Sequence, residues 1–260
     1  MWGVLERETV RTKYKERRVK EKGMFQALLG KEMGRFTASP NYMLNCGLGS
    51  VFLVAMGIFL LVKADWIQLA LGAFMEEGGL LTAAAAGCIC LVCSMNDSAA
   101  ASVSLEGKNL WIAQSLPVLP GQVLLAKVTL QLLMTEIPAL FCSVCILIAF
   151  RPGLWLGSMV VLLPLLYVAF TAFFDLFLNL KFPNLTWTSE IAPIRQSLPT
   201  TLAIFDGWGY ILLLFGGGYL LHSRMCVELY LMLACAVTAV LTAVLYRWMK
   251  TKGTKVFAGL

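Results

Sequence analysis

An all-α, polytopic membrane protein is the fold class this sequence predicts, and three observations predict it. The chain has 260 residues, 59% hydrophobic and 14% charged, with a mean hydropathy of +0.77. Soluble domains lie near about 45–50% apolar and about 25% charged. A chain of this size still wets too much surface to hide such an excess in one core. Secondly, six apolar runs approach the ~20 helical residues that cross a hydrocarbon layer ~30 Å thick. Thirdly, charge is segregated: ten of the 21 Lys+Arg precede residue 36, and Arg247, Lys250, Lys252 and Lys255 close the sequence. A soluble enzyme, a disordered chain and a collagen-like chain are excluded.

Residues 1–23 read as a basic cytoplasmic leader without apolar periodicity. From 24 to 40, Phe25, Leu28, Leu29, Met33 and Phe36 recur at three- and four-residue steps among Lys31, Glu32 and Arg35. That pattern predicts an amphipathic helix on the inner membrane surface, ending near Ser39-Pro40. Residues 41–250 hold the six-span domain. Its spans are predicted at 43–62, 79–95, 122–150, 154–178, 198–221 and 227–246. Between the first two, 66–74 is apolar but too short to cross, so it is read as interfacial or as an outer extension of the second span. Residues 251–260 read as a basic cytoplasmic tail.

Orientation follows from counting. With the N-terminus inside, eighteen basic residues fall on inner segments, Lys108, Lys127, Lys181 and Arg195 among them, and only Lys63, Arg151 and Arg224 fall outside. Such a bias predicts both termini in the cytoplasm, and a plasma-membrane location is the accompanying expectation. The same position-dependence favours an inner-face role for the basic clusters over a nucleic-acid patch. The first apolar run starts too late and is too long for a signal peptide.

The loop at 96–121 carries the most information. Ser104 is placed to cap a short helix, Glu106 falls in its first turn, where the helix dipole favours a carboxylate, and Pro117 stops it. With Lys108, Asn109 and Trp111, this helix over 104–117 suits docking of a soluble partner, although composition alone does not separate it from a solvated loop.

Catalytic constellations are missing from the sequence. The string nearest to a phosphate loop, Gly121 to Lys127, has Ala126 where glycine is required and Val128 where a hydroxyl belongs. A single histidine, His222, cannot build His-Glu-x-x-His. The Glu76-Glu77 pair lacks the arginine and histidines of a membrane peptidase. Neither a metal site nor a cofactor is expected. Cys88, Cys90, Cys93, Cys142 and Cys145 have metal-like spacings, yet lie in apolar runs and read as small packing residues. Glu136 and Asp206 fall inside predicted spans. Carboxylates there are costly and face a bundle interior or a water-filled path, so both are candidate pathway residues, with a structural hydrogen bond as the other reading. Asp175 lies close enough to its span's inner end to be wetted.

Three stretches carry a resemblance. Ser104-Leu105-Glu106-Gly107-Lys108-Asn109-Leu110-Trp111, with Ser115-Leu116-Pro117, resembles the loop signature of a Firmicute-type bacterial ABC exporter permease family. Lys31-Glu32 through Ser39-Pro40, with Tyr42-x-Leu44-Asn45, is similar to that family's approach to its first span. Asn179 to Pro183, Trp187-Thr188-x-Glu190 and Gln196-Ser197 resemble its second large cytoplasmic loop. The likeness runs from about residue 24 onward and is closest to the C-terminal six-span half of longer members.

The resemblance implies a non-catalytic permease subunit of an ATP-driven exporter. It implies a coupling helix at 104–117 that docks a separate ATP-binding-cassette subunit, and a second six-span permease unit as partner, alongside membrane lipid. A half-size permease or one part of a longer one both fit. The competing expectations are a membrane scaffold without transport and, less favoured, a proton-coupled carrier using Glu136 and Asp206, for which six spans without a visible inverted repeat are few.

Overall fold

The computed structural model describes residues 23–72, 78–221 and 225–260, and these are helical almost throughout. The basic leader up to residue 22, Glu76-Glu77, His222 and Arg224 lie outside the described residues. Six helices are long and apolar enough to cross a membrane. The expected all-α polytopic fold is what forms.

Helix α1 (Met24–Ala38) places Leu28, Glu32 and Phe36, four residues apart, on its buried side. Its apolar stripe therefore seats partly on protein, against α2 (Pro40–Val62) and α7 (Pro120–Phe150). Ser39 ends α1 in an extended conformation and starts α2, its Oγ accepting from the Tyr42 amide at 3.3 Å beside Pro40 in the first turn. Gly47 and Gly57 let α2 come within side-chain contact of Phe36 and Phe141, as small residues do between helices in lipid.

A single residue, Lys63, separates α2 from α3 (Ala64–Gly72). Its nine described residues are too few to cross the apolar layer, as expected. Ile67 is buried, Trp66 and Leu69 are exposed, and Gln68 donates to the Ala149 carbonyl at 3.1 Å.

Helix α4 (Gly78–Cys93) has 16 described residues, about 24 Å at ~1.5 Å each. A turn then leads into α5 (Ser98–Ser102), buried at every residue. Next come a 3-10 segment (Ser104–Asn109) and α6 (Leu110–Ser115). Helix α7 has 31 residues, about 46 Å. It is longer than a hydrocarbon layer of ~30 Å, and its first turns pack beside α1 and α12.

The central helix is α8 (Leu154–Lys181). It packs on α4, α5, α7, α10 (Leu198–Leu221) and α11 (Val227–Trp248), and buries Leu163, Tyr167, Val168, Ala172 and Leu176. It runs past the expected end at 178 because Asn179 and Leu180 are buried and only Lys181 emerges. The short α9 (Ile191–Arg195) precedes α10. The chain beyond Trp248 is not a loose tail. It makes a π-helical turn at Met249–Gly253 and then α12 (Thr254–Ala258), with Met249 and Phe257 buried. Thus α1, the α5–α6 connection, α9 and α12 gather at one end of the bundle, here termed the basic end.

Cys90, Cys93, Cys142 and Cys235 lie within the main apolar core, in agreement with a packing role, whereas Cys88 is exposed.

Candidate functional site

The predicted helix over 104–117 is two pieces rather than one. Gly107 breaks it with φ 52° and ψ −133°, a conformation open essentially to glycine alone. Ser104 does not cap it: the residue before the 3-10 segment is Val103, and no side chain caps that end. Instead Ser104 is fully buried in a clamp. Asn179 Oδ1 accepts from the Val103 and Ser104 amides at 2.7 and 3.1 Å, and Asn179 Nδ2 donates to Ser104 Oγ at 2.8 Å. The Asn184 amide donates to the same hydroxyl at 3.0 Å, and Trp187 Nε1 donates to the Ser104 carbonyl at 2.6 Å. Trp187 then lies against Gly107, so that a Cβ there would come within 3.2 Å of its indole nitrogen. Gly107→Ala is expected to lose about 1–3 kcal/mol in reversible detergent unfolding. Gly34→Ala, where a Cβ meets open space, serves as the control.

Glu106 does fall in the first turn of the 3-10 segment, but its carboxylate is taken up by ion pairs. It is buried in a charge cluster with Lys127, Glu32, Arg35 and Lys31. Lys127 Nζ donates to Glu106 Oε1 at 2.8 Å, to Glu32 Oε1 at 2.9 Å and to the Ser102 carbonyl at 3.1 Å. All three ammonium protons are thereby used. Arg35 Nη2 donates to Glu106 Oε2 at 2.7 Å, Arg35 Nη1 lies 3.6 Å from Glu32, and Lys31 reaches Glu106 from the rim at 3.3 Å. Burial alone would push the Glu106 carboxyl up, but Lys127 and Arg35 outweigh it and hold that carboxyl well below the usual carboxylate range. Arg35, whose charge burial disfavours, is raised on balance by Glu106 and Glu32.

Lys127, expected among the loop cations, is 0% exposed in the second turn of α7. The cluster bolts α1, the 104–109 segment and α7 together. The sequence carried a sign of it: a lysine within an apolar run needs a partner. Asp175 likewise is not wetted. It is buried and accepts from Gln131 Nε2 at 2.8 Å, while Gln131 Oε1 accepts from the Ala99 amide at 2.7 Å.

With Ser104, Glu106, Leu110 and Ala113 turned inward, the other half faces out. Lys108 and Asn109 are exposed, Trp111 is 64% exposed, and Ile112, Leu116 and Leu119 extend the same apolar surface. Of the predicted docking residues, then, Lys108, Asn109 and Trp111 can touch a partner, while Ser104 and Glu106 hold the segment that presents them. Gln114 Nε2 donates to the Phe257 carbonyl at 2.7 Å and ties the segment to α12.

Glu136 and Asp206 are not brought together. Each is partly exposed, without a hydrogen bond or ion pair among the described residues. Glu136 sits on α7, which packs on α2 and α8. Asp206 sits on α10, which packs on α8 and α4. Next to Asp206, Gly207 allows close approach to Ser94 and Tyr167, a packing role.

Fold and site together define a multi-pass helical membrane protein with an internally bolted polar platform at one end. No protein-family model, no curated protein and no solved structure matches the chain.

Proposed function

We propose that the chain is the transmembrane permease subunit of an ATP-binding-cassette exporter in the plasma membrane. The basic end faces the cytoplasm. A separate ATP-hydrolysing subunit docks on the outward face of residues 108–119, and the chain itself is non-catalytic. One observation carries this reading. Three stretches far apart in sequence, each similar to the exporter permease family, converge on one platform. Lys31 and Arg35 meet Glu106, which shares Lys127 with Glu32; Asn179, Asn184 and Trp187 meet Ser104; and Ser39 Oγ donates to Glu190 Oε2 at 2.8 Å. A segment held this firmly from behind, with an exposed tryptophan in front, transmits a push from a docked partner into α1, α7 and α8 instead of absorbing it.

A second six-span unit completes the pathway. Helix α11, which leaves Val237, Val240, Leu241 and Val244 uncovered, supplies apolar surface for it or for lipid.

Co-purification with an ATP-binding subunit, followed by measurement of transport-coupled ATPase, tests the reading. A buried interfacial tryptophan is commonly worth 2 kcal/mol or more, so Trp111→Ala with Ile112→Ala is expected to weaken subunit binding about 30-fold and to uncouple ATPase from transport. Unchanged binding and coupling would sink the docking assignment and return the scaffold alternative.

A further inference from the structure

Where α11 leaves the apolar layer, its exposed face changes character within one turn. Val237, Val240, Leu241 and Val244 are exposed aliphatics, and Arg247 follows three residues after the last of them. The π-helical turn and α12 continue the change. Met249, Gly253 and Phe257, four residues apart, turn inward. Lys250, Lys252 and Lys255 turn outward with Arg247, and all four are exposed. Among the described residues none of the four has an acidic partner, and Lys250 lies over the Tyr246 ring at 4.5 Å. On the inward side Phe257 belongs to the same apolar cluster as Leu110 and Ala113 of α6, and its carbonyl takes the Gln114 hydrogen bond.

We propose that this four-cation stripe binds the anionic phospholipid headgroups of the leaflet that borders it, and that lipid seated there holds residues 249–258 against α6. The order of surfaces selects a lipid over a soluble polyanion. An acyl chain lies along the valine and leucine face of α11 while its phosphate meets Arg247 and Lys250 one turn further on, an arrangement that rewards a ligand with both parts. Basic side chains next to a span attract anionic lipid within a Debye length. The inference needs only that α11 spans the membrane, and holds whatever docks on residues 108–119.

Native mass spectrometry of the purified full chain, with phosphatidylglycerol or phosphatidylcholine added, tests it. The parent is expected to retain phosphatidylglycerol at least about ten-fold better. Arg247→Gln with Lys250→Gln, Lys252→Gln and Lys255→Gln abolishes that preference. Lys63→Gln with Arg151→Gln, at the opposite end, keeps it, and so does Lys250→Arg with Lys252→Arg and Lys255→Arg. Should the fourfold variant not purify, Lys252→Gln with Lys255→Gln must still lower retention by about three-fold or more. In the parent alone, phosphatidylglycerol slows amide exchange over 110–115. Equal retention by the glutamine variants, or displacement of the lipid by inorganic phosphate at matched concentration, overturns the lipid site. Lipid preference without slower exchange at 110–115 overturns the link to α6.

Discussion

Lys127→Met is expected to destabilise the chain by about 3–5 kcal/mol in reversible detergent unfolding, as breaking a buried ion pair from one side does. The ammonium is 0% exposed and fully bonded to two carboxylates and a carbonyl. Without it, Glu32 and Glu106 are left buried with Arg35 and the half-exposed Lys31. The control is the twofold change Lys127→Met with Glu32→Gln. Removing the carboxylate that loses its nearest cation leaves Glu106 paired with Arg35 and Lys31, so this variant should be more stable than Lys127→Met alone. A twofold variant as unstable as the sum of its parts would show that the cluster is not a coupled unit. The pH dependence has a definite sign. Glu106 is lowered in the fold, so its contribution is complete above the ordinary carboxylate range and is lost only as pH falls through that lowered value. Between neutrality and the ordinary range, the gap between parent and Lys127→Met should therefore hold.

The same cluster shows what could be read in advance. Apolar run length fixes a span, because a membrane imposes one length on any helix that crosses it, and α10 and α11 begin where their hydropathy does. Counting charges treats every lysine as wet, which fails for Lys127. Its partners lie 95 and 21 residues away, and no periodicity reports a contact at such separations. Asn179 was legible as part of a motif but not as a clamp, for the same reason. The helical packing of the tail could not be read, because Met249, Gly253 and Phe257 make an inward stripe of only three positions among cations. Gly107 falls inside the helix expected over 104–117, although an isolated glycine within a helical stretch is also what a break in it requires. Of the five residues expected to meet a partner, Lys108, Asn109 and Trp111 emerge, whereas Ser104 and Glu106 are buried.

Asn179→Leu should detach the platform without removing any residue a partner would touch. Its amide supplies three bonds: to the buried amides of Val103 and Ser104 and to the Ser104 hydroxyl. Leucine fills the volume but leaves two buried N–H groups unsatisfied, each at about 1–3 kcal/mol, so a loss of about 2–6 kcal/mol is expected. Ser104→Ala should cost less, since the clamp's two backbone bonds remain. Amide exchange locates the damage. Faster exchange in Asn179→Leu should appear over 103–111 while the middle of α11 stays as protected as in the parent. Uniform acceleration along the chain would instead make Asn179 an ordinary core residue of α8. Binding of an ATP-hydrolysing subunit then distinguishes a platform from a loop. If Trp111 acts only because the segment behind it is fixed, Asn179→Leu should weaken binding about as much as Trp111→Ala does, with Trp111 still in place. A variant that binds normally would mean that residues 108–119 find their partner unaided, and that the clamp serves stability alone.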